Sequence, residues 1–128
     1  MLTEKKIGAA FFLFFSLLIV TSLSGQDTTS DGLLREARKA AFDQNDYPTA
    51  KAYLYKALKI SPDYADIKIF LGRIYSWSKE YDSARYYFNN VLKTKPDYED
   101  ASSALADLEY WNDDYPEALL VTEAAIKY

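Results

Sequence analysis

The stretch LGRIYSWSKEYDSARYYFNNVLKTKP, Leu71–Pro96, decides how this chain folds. Together with Ile67 and Phe70 just before it, Leu71, Ile74 and Tyr75 fall at i, i+3, i+4, i+7 and i+8. After a polar break at Ser78–Glu80, Ala84, Tyr87, Phe88, Val91 and Leu92 repeat that spacing. Each set is the buried stripe of an amphipathic helix. Pro96 ends the second, since proline cannot continue a helix. Two helices joined by a short turn are therefore predicted here.

Working outward, the same unit returns on both sides. Tyr47, Tyr81 and Tyr115 are 34 residues apart, as are Ala50, Ala84 and Ala118, and Ala57, Val91 and Ala125. The interval also relates Pro62 to Pro96, Tyr64 to Tyr98 and Trp77 to Trp111. KISPDYAD (Lys59–Asp66) and KTKPDYED (Lys93–Asp100) are the same joint written twice. Pro48 and Pro116 stand where a proline opens a helix at no cost in hydrogen bonding. A fixed period of this length, with no single unit able to bury its own apolar face, predicts an all-α solenoid. Its three repeats cover about 31–64, 65–98 and 99–128, the last incomplete, giving a domain over 33–128.

The unit resembles the tetratricopeptide repeat, through its Leu-Gly pair (Leu71, Gly72), Tyr75, Ala84, Phe88 and closing Pro96. The resemblance implies paired helices, with Gly72 and its counterpart Ala106 allowing close approach of the second helix. The first copy departs from it, with Ala37 in place of the leucine and Arg38 in place of the small residue, so its first helix is expected to pack less tightly. The third has Glu109 where the second has Tyr75. The repeat pattern stops inside its last helix at Tyr128, which we read as the mark of a fragment. Dimerisation through Val121, Ala125 and Ile126 is the alternative.

Ahead of the repeats, Lys5 and Lys6 precede the apolar run Ile7–Leu23 and the small residues of SLSGQ. That order, basic then apolar then small, is a secretory signal over 1–25, and an uncleaved anchor is the other reading. Residues 26–32 form a polar, flexible lead-in. The 128-residue chain has no cysteine and no histidine. This excludes a lipid-modified cysteine, a disulfide, a cysteine nucleophile, a Ser-His-Asp triad and histidine or thiolate metal ligation. A formal charge of −4 argues against nucleic acid as partner. No cofactor is called for.

Repeat solenoids bind extended partners on the concave face lined by first helices. On those helices the candidates are Arg35, Lys39, Ile69, Arg73, Trp77, Asp107, Tyr110 and Trp111. Arg35 and Lys39, one turn apart, could meet a carboxylate or could simply be solvated. Tetratricopeptide domains that clamp a terminal carboxylate use asparagine and basic residues where this chain has Phe70 and Ala104, so that clamp is not expected. Trp77 and Trp111 could stack on sugars or hold apolar side chains, or could close the turns by packing on Tyr81 and Tyr115. Asp113, Asp114 and Glu117, with Asp97, Glu99 and Asp100, read as turn and helix-start acids rather than catalytic pairs or a calcium loop.

An export signal followed by GRIYSW, YDSA, PDYEDA and LEYW is similar to the start of YaiO-type outer-membrane proteins of Gram-negative bacteria. In these a periplasmic tetratricopeptide module precedes a β-barrel. The resemblance implies a non-enzymatic periplasmic interaction scaffold, tethered to the outer membrane through a region beyond the repeats. Two alternatives are a saccharide-binding module that uses Trp77, Tyr110 and Trp111 to assist polymer export, and the sensory repeats of a membrane-anchored regulator.

Overall fold

A computed structural model describes residues 28–112 and 115–127. The signal-like segment 1–25, Asp113, Asp114 and Tyr128 lie outside them, as do the side chains of Tyr115, Pro116 and Ala118. Six helices follow one another with no strand among the described residues: α1 (Ser30–Asp43), α2 (Tyr47–Ile60), α3 (Ala65–Trp77), α4 (Tyr81–Thr94), α5 (Glu99–Trp111) and α6 (Tyr115–Ile126). They pair as α1/α2, α3/α4 and α5/α6, and each second helix also packs on the first helix of the next pair. The expected all-α solenoid of helix-turn-helix repeats is what forms.

The chain enters α1 earlier than composition suggested. Thr29 caps it, its Oγ1 accepting from the Gly32 N–H at 3.1 Å, so Ser30–Gly32 are helical rather than part of a flexible lead-in. Nor is α1 loosely packed. Leu33, Leu34, Ala37, Ala40 and Ala41 are all buried, because the alanines let the helix sit close to Ala50, Leu54 and Ala57 of α2. Arg38 does not disturb this packing, since its side chain points out of the core and lies over the Phe70 ring.

In the first two pairs the turn uses one left-handed residue, Asn45 (φ 52°) or Lys79 (φ 60°), again 34 positions apart. Asp46 then caps α2 by accepting from the Thr49 N–H at 3.1 Å. In the second pair Gly72 has the role its position implied. A Cβ there would come within 2.5 Å of Phe88 Cε1, so only hydrogen lets α4 lay its largest core ring against α3.

The joints between pairs explain the repeated phrase. The Tyr64 hydroxyl donates to Asp31 Oδ1 at 2.6 Å and the Tyr98 hydroxyl to Asp66 Oδ1 at 2.5 Å. Each joint tyrosine thus reaches back to the first turn of the preceding first helix and fixes the step between repeats. On the other side of the solenoid the joints share positions but differ in chemistry. Lys51 Nζ sits 4.5 Å from the Tyr75 ring centroid. One period on, Arg85 grips Glu109 through two bonds, Nε to Oε1 at 2.5 Å and Nη2 to Oε2 at 2.7 Å. Glu109 is only 1% exposed, so its charge depends on that fork.

Candidate functional site

Curvature puts the first helices on the inner side, where α3 and α5 touch directly. There a groove of about 350 Å³ opens across all three repeats, lined by Arg38 and Phe42 of α1, Asp66, Ile69, Phe70, Arg73 and Trp77 of α3, and Asp100 of α5. Helical spacing orders these residues along the groove. Asp66, Phe70, Arg73 and Trp77 follow one another at three- or four-residue steps on one face of α3. Arg38 and Phe42 stand one turn apart on the facing side of α1.

The groove carries an aromatic end. Trp77 packs at 5.7 Å from Phe42, 6.0 Å from Tyr47 and 6.2 Å from Phe70, measured between ring centroids. Phe42 lies 5.6 Å from Phe70. Phe70 is buried as the floor, while Phe42 and Trp77 remain 61% and 43% exposed. Arg38 lies 5.8 Å above the Phe70 ring, stacked on its face. Arg73 is half-buried and has no ion-pair or hydrogen-bond partner among the described side chains. At the other end Asp66 is held by the Tyr98 hydroxyl, a bond that pushes the phenol up to about 12.

Of the residues singled out from sequence, the groove brings together Ile69, Arg73 and Trp77. Ile69 serves mainly as core, being 5% exposed beside Ala101 and Leu105. Arg35 and Lys39 are exposed on α1 and do not line the groove, and Lys39 is paired with Glu36 at 3.2 Å. Asp107, Tyr110 and Trp111 are exposed on α5, also outside it. The two tryptophans, equivalent by spacing, have different surroundings. Trp77 packs on Phe42, Tyr47 and Phe70 rather than on Tyr81. Trp111, 70% exposed, meets the edge of Tyr110 at 5.6 Å. Sequence reasoning missed Arg38, Phe42, Asp66, Phe70 and Asp100. The signal was present: Arg38 breaks the small-residue rule of the repeat, and an aromatic side chain at Phe42 is an odd choice on an exposed helix end.

A solenoid of paired helices is the architecture of the tetratricopeptide repeat, and a family model of that repeat matches residues 41–86. Solved structures give the same fold. MamA aligns at a TM-score of 0.69 with 21% identity, over 78% of this chain and 54% of that one. The tetratricopeptide domain of Sgt2 from Aspergillus fumigatus aligns at 0.69 with 24% identity, over 81% and 71% of the two chains. The second such domain of Spaghetti, bound to the HSP90 peptide SRMEEVD, aligns at 0.66 with 12% identity, over 79% and 92%. The chain thus spans about half the length of the MamA structure. No curated protein matches it.

Proposed function

We propose that this chain is a non-enzymatic interaction scaffold that holds an extended segment of a partner protein in the groove between α1, α3 and α5. One observation carries the reading: two large aromatic rings, Phe42 and Trp77, stay exposed beside an unpaired Arg73 in a concave channel that crosses three repeats. Burying those rings under a partner recovers the hydrophobic free energy that the free domain forgoes. The structure of Spaghetti with an HSP90 peptide supports a peptide as the class of ligand. Three of the last four residues of that peptide are acidic. Here the α5 side of the groove carries Asp100, and Phe70 and Ala104 occupy the sites of the carboxylate-clamping side chains, so a different peptide is required.

The test is selection of a random peptide display library on the whole chain. Enriched peptides should lose binding to a Phe42→Ala/Trp77→Ala variant that retains its helical circular dichroism. Peptides that bind this variant as well as the parent overturn the reading, and so does a lack of any enrichment.

The basic, apolar, small order of residues 1–25 supports export, and the likeness to YaiO-type proteins supports a periplasmic position, tethered to the outer membrane by a region beyond the repeats. The N-terminus of the protein recovered from a periplasmic fraction should begin near Gln26. Recovery from the cytosol with Met1 intact overturns this placement. A saccharide-binding role, as in polymer export, would rest on Tyr110 and Trp111, an exposed aromatic pair separate from the groove. Quenching of tryptophan fluorescence by acidic or neutral oligosaccharides, lost in Trp111→Ala, is its test.

A further inference from the structure

The groove is polarised along its length, and this points to the kind of segment it holds. Its N-terminal end carries two carboxylates at equivalent places on successive first helices, Asp66 and Asp100. Its middle carries two guanidiniums, Arg38 of α1 and Arg73 of α3. Its far end carries Phe42 and Trp77 above the Phe70 floor. The three zones are fixed in order by the helices that bear them. From Trp77 back to Arg73 is four residues, about 6 Å of helix, and from Arg73 back to Asp66 is seven, about 10 Å.

An extended peptide rises about 3.3 Å per residue. A large apolar side chain seated between Phe42 and Trp77 therefore puts the residue about two places along beside Arg38 and Arg73. Residues two apart in an extended chain point the same way, so both can enter the groove. About three places further the peptide passes Asp66 and Asp100; an odd step turns that side chain to the other face, so its charge is felt through the field of the two carboxylates rather than by direct contact. An acidic residue there is repelled and a basic one attracted. Discrimination thus comes from a penalty as well as from an attraction.

Building on the reading of the groove as a peptide site, we propose that it selects an extended segment with a large apolar residue, an acidic residue about two positions away, and a basic or neutral residue about three positions beyond. The guanidiniums are suited to the middle position. Arg38 is already stacked on Phe70 and Arg73 is half-buried, so each loses little freedom on pairing with a carboxylate. A run of consecutive acids is rejected by the same site, because its far members meet Asp66 and Asp100.

The experiment uses the whole chain and a labelled peptide in a glycine-serine background with phenylalanine, aspartate two residues on and lysine three beyond that. Three further peptides carry alanine for phenylalanine, lysine for aspartate, or aspartate for lysine. Fluorescence anisotropy should show the parent peptide tightest and each change weakening it, by about tenfold where the charge facing the arginines is lost. Arg73→Glu, whose charge cancels that of Arg38, should abolish the preference between aspartate and lysine at the middle position. The peptides enriched in the display selection should carry the same pattern. Enriched peptides that depend on Phe42 and Trp77 but show a different charge order overturn this inference and leave the groove standing. Peptides that ignore the Phe42→Ala/Trp77→Ala variant overturn both. If Arg73→Glu unfolds, Arg38→Glu supplies the same charge cancellation, and equal affinity of all four peptides for the parent chain overturns the inference without any variant.

Discussion

Arg85 is the residue whose removal should most damage the solenoid. Its partner Glu109 is 1% exposed and accepts two hydrogen bonds from one guanidinium, at 2.5 and 2.7 Å. Cutting Arg85 to alanine leaves a buried carboxylate without its cation in the joint between the second and third repeats. Breaking a buried pair in this way costs about 3–5 kcal/mol. The Arg85 side chain is 32% exposed, so water reaches part of the gap and the low end, about 3 kcal/mol, applies. Glu109→Gln should cost less, about 1 kcal/mol. The amide is neutral, and Arg85 keeps its 2.9 Å contact with Asp82. The double variant Arg85→Ala/Glu109→Gln should then be more stable than Arg85→Ala alone, by about 1–2 kcal/mol, because the stranded charge is gone. Urea unfolding followed by circular dichroism measures all three. Arg85→Ala should also lower the m-value, since the third repeat loses its coupling to the second and unfolds on its own. A loss below about 1 kcal/mol for Arg85→Ala, no greater than an exposed pair is worth, would refute the idea that this fork seals the joint.

Gly72→Ala should destabilise by about 1–2 kcal/mol despite its better helix propensity. Its Cβ would stand 2.5 Å from a Phe88 ring that is 1% exposed, and a thermal melt checks this. Lys79→Gly should do the opposite, raising stability by about 0.5–1 kcal/mol in urea titration. It relieves a left-handed backbone at φ 60° that lysine adopts poorly. Stability should be level from neutral pH to about 9 and fall between about pH 10 and 12. Burial holds the Tyr75 phenol up at about 12, and the bond to Asp66 holds Tyr98 there too, above the unfolded value of 10. The native state therefore keeps protons that the unfolded chain gives up. Tyr98→Phe should flatten part of that alkaline loss, and an unchanged pH profile in that variant counts against the Tyr98–Asp66 tie.

Helix number, pairing and joints were legible in the sequence because they rest on backbone geometry, which the 34-residue interval repeats without change. Gly72 could be read for the same reason, as a small residue demanded by a facing helix. The groove was legible only in part. Arg73 and Trp77 could be placed because they sit on the inner face of a helix whose phase the core stripe sets. Arg35, Lys39, Asp107, Tyr110 and Trp111 were on the right helices, but which of their exposed side chains share one channel depends on superhelical twist. Periodicity carries no information about that twist. The unlike surroundings of Trp77 and Trp111 show the limit most sharply. Equal spacing gave both the same address, yet only Trp77 has a phenylalanine of the preceding repeat, Phe42, against its ring.

The departures from the repeat are where binding chemistry enters. Several positions that set the fold are filled nearly alike in successive copies: alanine or valine in the second helices, tyrosine at the joints, a left-handed residue in the first two turns. Alongside the repeated Asp66/Asp100 and Trp77, the groove draws on positions where the copies disagree. Arg38 stands where the later repeats have Gly72 and Ala106, Phe42 where they have Ser76 and Tyr110, and Phe70 where the first and third have Glu36 and Ala104. From sequence Arg38 looked like a packing fault in a terminal repeat. In the structure three buried alanines leave the helix well seated, and the arginine is free to turn outward over Phe70. A regular scaffold makes such substitutions cheap, because one outward-facing residue changes the ligand without changing the step between repeats. Restoring Arg38 to glycine should therefore leave the urea midpoint nearly unchanged, within the roughly 1 kcal/mol of helix propensity lost, while weakening peptide binding. Loss of folding in that variant would mean that Arg38 is part of the architecture after all.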